Sequence, residues 1–427
     1  MASFDIFSTT TDKICDRGAC LTVARAGVAS RAAELDASLS DAALTMNIKL
    51  IEVPLSDKHL LRRFIQVPRY IHREHWPNQQ WVPPLSLERK MFFDPAKHPV
   101  WRHLHARLWI ANDGQRDVGR VSAVVDRDHI EHHNEQCGFL GTFECPNDPA
   151  LAALLCDTAE SWLLEQGMRK VIGPTSMNSN YEWGCMIEGF EREPGINMPY
   201  NPPYYASLFE ACGYTKAKDL YQWGFDVQTP TPPRIARIAD RVKKRDKISL
   251  RNLDTSRWEQ EVRMAHDIYN AAWEKNWGFI PLDKTEWNHI ADDLKLALEP
   301  SLSLVAEVDG RPVGIALSVK NLNPILKKMD GSLLPFGLLR MLWELKVKKS
   351  VTAGRLVLLG IRPEFRRRGL DVLLMVETHR AAQKIGYTFG ELGWTLEDND
   401  LINKPIQMFG AKRITTYRVF EKELQGE

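Results

Sequence analysis

Arg366, Arg367 and Arg368, followed by Gly369, stand in RPEFRRRGLDVLLMVETH (362–379), where an apolar run, RLVLLGI (355–361), gives way to a helical pattern. A turn between a buried strand and a helix N-terminus presents unpaired N–H groups and the positive end of the helix dipole, so it is a natural anion site. Glycine lets backbone approach a ligand closely, and guanidinium groups grip phosphate in a bidentate way. A diphosphate fits that donor density; for three arginines taken alone, a solvated basic turn is the alternative.

A second candidate is GPTSMNSNYEWGCMIEGFEREPGINMPYNPPYY (173–205). It is long for a plain connection and dense in aromatics, Asn and Pro, as binding loops are. Asn178, Tyr181, Glu182, Trp183, Tyr200, Asn201 and Tyr204 are its candidates for lining a substrate pocket; a loop packed on its own aromatics is the alternative. HIEHHNEQC gathers His129, His132, His133 and Cys137. Its spacing matches no familiar zinc pattern and a strand-to-strand loop is expected there, so no metal is assigned.

The chain that must position these residues has 427 residues, enough for two or three domains with sizeable cores. Its 56 Lys and Arg against 55 Asp and Glu give a formal charge of +1, so no global field argues for nucleic acid. No uncharged apolar run is long enough to span a bilayer and no secretory leader is evident, which predicts a cytoplasmic protein. Seven cysteines, all at or before Cys212 and odd in number, suit free thiols in a reducing compartment.

Residues 1–46, rich in Ala, Ser and Asp, read as a mobile leader before the strand MNIKLIEV. The prolines of QTPTPPR mark a linker over 228–244 and leave two blocks, 47–227 and 245–427. In the second block KISLRNLD predicts a strand, two helical stretches follow (257–276 and 286–298), and LSLVAEVDGRPVGIALSV predicts a hairpin closed by Asp309-Gly310. After an insert over 321–350 come the strand RLVLLGI, the arginine turn, a helix to about Ile385, the strand GELGWTL, a short helix and the last strand KRITTYRVFEK. The first block repeats much of that order, with IKLIEV, helices within 57–74, ARLWIAND and GRVSAVV, CGFLGTFE, a helix over 150–165, KVIG and a helix over 203–212. The repeat implies tandem duplication of one mixed α/β unit.

That element order, with VLLGI before Arg366-x-x-Gly369, resembles the GCN5-related N-acetyltransferase (GNAT) superfamily. The resemblance implies α/β tandem GNAT-like domains, the first degenerate and the second binding coenzyme A. It implies that Leu359, Gly360 and Ile361 offer backbone groups to pantetheine and to the oxyanion, while Arg366, Arg367, Arg368, Gly369, Leu370 and Asp371 hold the pyrophosphate and Asn399 touches the coenzyme. Asp371 departs from the small residue of the family pattern, and Ile406 stands where a tyrosine acid is usual. The first block has Asp148 and Pro149 in place of the turn, so no phosphate cradle is expected there. Direct attack of an amine needs a base, because an amine of pKa near 10 arrives charged. Glu391, then Glu397, are the expected bases on the strand that splays from the thioester strand; a solvated or ion-paired carboxylate is the alternative for each.

In NPILKKMDGSLLPFGLLRMLWELKVKK, Leu334, Leu338, Met341, Leu342 and Leu345 form one helical stripe, with Arg340, Glu344 and Lys348 opposite and Lys346 and Lys349 at the end. An apolar stripe with Trp343 and basic flanks is the pattern of a helix lying in a membrane interface; a helix packed on its own domain is the alternative. With MPYNPPYY and NAAWEKNWGFIPL, these features resemble the bacterial ceramide synthase group. That resemblance implies an acyl-CoA-dependent N-acyltransferase moving a fatty acyl group onto a sphingoid base at the inner face of the membrane. Acyl-CoA is then a co-substrate, with no resident cofactor. An acetyl-CoA-dependent N-acetyltransferase of a soluble amine or protein, or a non-catalytic acyl-CoA-binding protein, is the alternative.

Overall fold

The structure, a computed structural model, describes residues 48–425 except 246, 275, 334–336 and 349. The leader read over 1–46, Leu334, Lys349 and the side chain of Lys346 lie outside the described residues. The strands are β1 (Lys49–Glu52), β2 (Leu104–Asn112), β3 (Asp117–Asp126), β4 (Cys137–Glu144), β5 (Lys170–Thr175), β6 (Cys185–Glu188), β7 (Thr215–Asp226), β8 (Ser249–Asn252), β9 (Leu304–Val308), β10 (Arg311–Lys320), β11 (Ala353–Ile361), β12 (Phe389–Leu396) and β13 (Lys412–Glu423). They form one mixed sheet in the order β1-β2-β3-β4-β5-β13-β7-β12-β11-β10-β9-β8, with β6 paired to β13.

The middle of that order is an exchange. β7, which ends the first half of the chain, lies between β12 and β13, while β13, which ends the second half, lies between β5 and β7. Val419 and Phe420 of β13 are fully buried, and Phe420 stacks on Phe209 of the first half. Each half is therefore completed by a strand from the other.

Local sequence explains most boundaries. Asp309 and Gly310, both at positive φ, close the β9–β10 hairpin. Asp148 caps the helix Pro149–Glu165 by accepting from Ala150 and Leu151, with Pro149 preset for the first turn. Several stretches differ from the sequence expectations, among them β6 and the helix Ser86–Phe92, which were not expected. Of residues 228–244, read as a linker, those from Pro233 belong to the helix Pro233–Arg245; proline is acceptable in a first turn, and Ile235, Ala239 and Val242 bury one stripe against the helix Leu370–Lys384. HIEHHNEQC begins within the helix Arg127–His133, capped by Asp126, rather than in a loop. The twelve residues of β7 had no counterpart among the expected strands.

The insert forms the helices Asn323–Lys328 and Gly337–Lys346. On the second, Met341 and Glu344 face inward, Glu344 being compensated by Lys328 at 3.2 Å, while Leu338, Leu339 and Trp343 are exposed. The expected stripe is thus rotated: ion pairing lets a carboxylate into the buried face, and part of the apolar set turns outward.

Candidate active-site cleft

Parallel pairing of β11 with β12 runs from Ala353↔Phe389 to Leu356↔Leu392 and stops. Each strand carries an irregularity where the two part: β11 has an extra residue at Val357 against β10, and β12 has one at Gly393-Trp394 against β7. Extra residues bend strands, so the sheet forks and leaves the β12-facing edge of 357–361 without a strand partner. Arg355 fastens the fork. Its Nε and Nη2 donate to the Gly393 carbonyl at 2.9 and 2.7 Å, and Nη1 donates to the carbonyl of Ile196 in the 173–205 loop.

Glu391 lies across the ladder from Arg355, buried, with Oε2 accepting from Gln222 Nε2 at 3.0 Å; Gln222 in turn accepts from the Tyr417 hydroxyl. Burial raises the pKa of Glu391, opposed by the charges of Arg355 and Arg192. Gly195 closes this group off, since a Cβ there would come within 2.6 Å of Glu391 Oε2 and 2.5 Å of Gln222 Nε2. Glu391 does not line the cleft. Nor does Glu397, which receives Lys216 Nζ at 2.6 Å and the Asp219 N–H at 3.1 Å.

Beside the fork lies a cleft of about 870 Å³ drawn from both halves. One charged part of it is the arginine turn, where Arg366, Arg367 and Asp371 line it together with Leu359, Ile361 and Asn399. Gly369, at φ 81°, is the N-cap residue of Leu370–Lys384 and offers no side chain, so the helix N–H groups lack a capping oxygen from that position. Arg366 is held by the Ala272 carbonyl at 2.6 Å, and Arg368 lies over Phe365. Arg368, Gly369, Leu370 and Gly360 are set back from the cleft, Gly360 leaving room for Trp273. Asp371 sits in the first turn of the helix, where burial raises its pKa against the pull of the neighbouring backbone N–H groups. The cleft's apolar part is walled by Ile196, Leu294, Ala297, Leu322, Leu326 and Met341.

Of the residues singled out in the 173–205 loop, Tyr181, Glu182 and Trp183 line the cleft. The others brace it. Asn201 bonds the Met186 backbone, Tyr200 donates to the Phe190 carbonyl at 2.7 Å, Tyr204 donates to the Cys145 carbonyl at 3.1 Å and Asn178 donates to Asp126. Trp183 stacks on Trp277 at 5.1 Å, and Gly278 is glycine because a Cβ would strike that indole. Residues not singled out from sequence include Arg355, Gly195 and His103, whose partners are distant in the chain. In the histidine cluster, donor atoms of His129, Glu135 and Cys137 lie within 4.8 Å of one another. Burial pushes the Cys137 thiol well up.

Behind Tyr181 runs a buried row of charges. The Tyr181 hydroxyl donates to Glu286 Oε1 at 2.6 Å, Glu286 Oε2 lies 3.0 Å from His103 Nε2, and His103 Nδ1 lies 2.7 Å from Asp126 Oδ1. Burial disfavours the charge on His103, but the hydrogen bonds to Asp126 and Glu286 overcome it and raise its pKa to about 10.

No protein-family model matches the chain. It is 34% identical over 375 residues to protein YghO of Escherichia coli (strain K12), spanning 86% of this chain and 94% of that one. It is 34% identical over 383 residues to the bacterial ceramide synthase of Caulobacter vibrioides, spanning 88% and 98%. Among solved structures, a tandem GNAT protein from the clavulanic acid biosynthesis pathway superposes with a TM-score of 0.53 at 11% identity, covering 89% of this chain and all of that one. That likeness is one of fold.

His103 should make stability depend on pH. Its folded pKa lies above the unfolded value near 6.5, so its contribution is complete below pH 6.5 and is lost as pH rises through about 10. Denaturant unfolding of His103→Gln is expected to show a loss of about 3–5 kcal/mol at pH 6 that shrinks towards pH 10. A constant difference would contradict the charged row.

Proposed function

The chain belongs to the family of the bacterial ceramide synthase and YghO proteins, and from that premise we propose that it is a coenzyme A-dependent N-acyltransferase acting on a lipid amine of the sphingoid-base class. The observation that carries this reading is one cleft joining an arginine turn at a helix N-terminus, an unpartnered strand edge and an apolar wall. In this reading the diphosphate sits against Arg366, Arg367 and the N-terminal N–H groups of Leu370–Lys384. Pantetheine, an amide-bearing arm, pairs with the 357–361 edge as an added strand would, bringing the thioester to the fork. Backbone N–H groups of that edge then stabilise the oxyanion. The fatty chain fills the space walled by Ile196, Leu322, Leu326 and Met341, which an acetyl group would leave empty.

Glu391 is assigned here to holding Arg355, because Gly195 separates it from the cleft. Asp371 is compatible with a diphosphate when its carboxylate turns aside from the anion.

The acceptor reading also draws on the insert. Met341 lines the cleft while Leu339, Trp343 and Val347, 64%, 51% and 68% exposed, face out beside exposed Arg340 and Lys348. No helix among the described residues is long and apolar enough to cross a membrane. A helix with one face on the cleft and an apolar, basic-flanked face outward suits peripheral contact with an anionic bilayer, from which a lipid amine enters.

With palmitoyl-CoA and sphinganine, the protein is expected to release thiol and yield N-palmitoyl sphinganine by mass spectrometry; a preference for acetyl-CoA and a soluble amine would select the other activity. Arg366→Glu with Arg367→Glu should abolish palmitoyl-CoA binding in calorimetry, since both side chains line the cleft and the change puts two carboxylates into the anion site; undiminished affinity would remove the turn from the coenzyme site. A double substitution, Leu339→Ser with Trp343→Ser, should weaken sedimentation with anionic vesicles at least tenfold and leave turnover of a detergent-dispersed amine intact. Equal vesicle binding would rule out this face.

A further inference from the structure

Among the carboxylates that line the cleft, Glu88 and Glu182 are engaged by Arg89, Asp293 sits 3.6 Å from His289, and Asp371 sits in the first turn of its own helix. Tyr181 is different. Its ring lines the cleft, and its hydroxyl is hydrogen-bonded to a carboxylate, Glu286, that is 2% exposed.

Behind Glu286 the charges do not cancel. His103 has a carboxylate at each ring nitrogen, which requires both nitrogens to carry protons; one imidazolium and two carboxylates sum to one negative charge. Asn178 Nδ2 donates to Asp126 Oδ2 at 2.8 Å, and Asp126 also caps the helix Arg127–His133, so the far end is fully engaged. Of the other charged groups near the row, Arg127, next to Asp126, donates to the Arg102 carbonyl at the surface, His129 is held neutral by burial, which lowers its pKa to about 4, and most of the rest are acidic or paired. Asp128 lies 3.8 Å from His103 Nδ1, Asp283 at the cap of the Glu286 helix holds Arg102, and His289 and Asp293, paired with each other, stand one and two turns along that helix. His98, whose ring lies 5.6 Å from Tyr181, is held neutral by burial, which lowers its pKa to about 4, and Tyr269 reaches Asn180 at 3.5 Å. A purely structural lock would be neutral with a single carboxylate. A surplus buried negative charge costs several kcal/mol and is suited to meeting a cation from the cleft.

We propose that Tyr181 accepts the proton of the substrate ammonium while its own proton passes to Glu286, making the Glu286–His103–Asp126 row the proton acceptor of the reaction. This rests on the N-acylation reading above. The nitrogen lone pair released by the first proton forms the C–N bond at the thioester carbonyl carbon. On collapse of the tetrahedral adduct the C–S bond breaks, and the leaving thiolate takes the second proton of the attacking nitrogen, directly or through water. Glu286 then returns its proton to solvent through the Tyr181 hydroxyl. His103 stays cationic throughout and fixes the orientation of Glu286.

Tyr181→Phe removes one oxygen and is the primary test, independent of how Glu286→Gln folds. With palmitoyl-CoA and sphinganine, Tyr181→Phe should lower kcat about 100-fold at pH 7 with KM for palmitoyl-CoA unchanged. The deficit should narrow as pH approaches the amine's own pKa near 10, where the acceptor arrives uncharged. Glu286→Gln should behave alike, and the double variant should be no slower than either single one. A wild type that turns over but keeps its rate and pH profile on Tyr181→Phe overturns this assignment alone, as does a deficit that is constant with pH. A wild type inert towards sphinganine overturns the acylation reading, and this assignment with it.

Discussion

The Arg355 guanidinium is the fixed point around which the cleft is arranged. Taking it out of water costs several kcal/mol, and the cost is offset by two hydrogen bonds to the Gly393 carbonyl, one to the Ile196 carbonyl and the charge of Glu391. The two carbonyls belong to different elements: β12 past its break from β11, and the loop that the first half lends to the site. Removing any of them would leave a buried cation short of acceptors. The fork in the sheet is thus held open by polar satisfaction as well as by the two irregularities that bend the strands.

The exchange of β7 and β13 makes that arrangement possible. With β7 against β12, Gln222 reaches Glu391, and with β13 against β7, Tyr417 reaches Gln222. Polar groups from the first half, from β12 and from the last strand therefore meet under one fork. The same joining brings Glu286 of the second half to His103, Asp126 and Tyr181 of the first. A first half without an arginine turn has in this way a clear structural share in the cleft: it supplies Tyr181, Trp183, Gly195 and Ile196.

What the sequence disclosed was local. The Asp309-Gly310 hairpin, the apolar run of β11 and the glycine at the start of Leu370–Lys384 all follow from residues within a few positions of one another. β7 escaped because TKAKDLYQWGFD opens with charges that pair across the sheet, Lys218 with Asp398 and Asp219 with Arg418, and so lacks a clean apolar alternation. Tyr200 and Tyr204 looked like pocket residues because aromatic density does not distinguish a side chain that lines a cleft from one that buttresses it. Glu391 was legible as a carboxylate on the splayed strand, but the glycine that covers it lies 196 positions earlier in the chain. His103 and Glu286, 183 residues apart, had no local signature at all.

The central claim is that a thioester carrier enters with its diphosphate at the arginine turn and its acyl chain along the insert. A crystal structure with a non-hydrolysable palmitoyl-CoA analogue tests this directly. The account predicts phosphate oxygens at the N–H groups that begin Leu370–Lys384, the pantetheine arm along residues 357–361 and the chain against Ile196, Leu326 and Met341. Density for the analogue away from that turn, or with the chain directed to solvent, would contradict it.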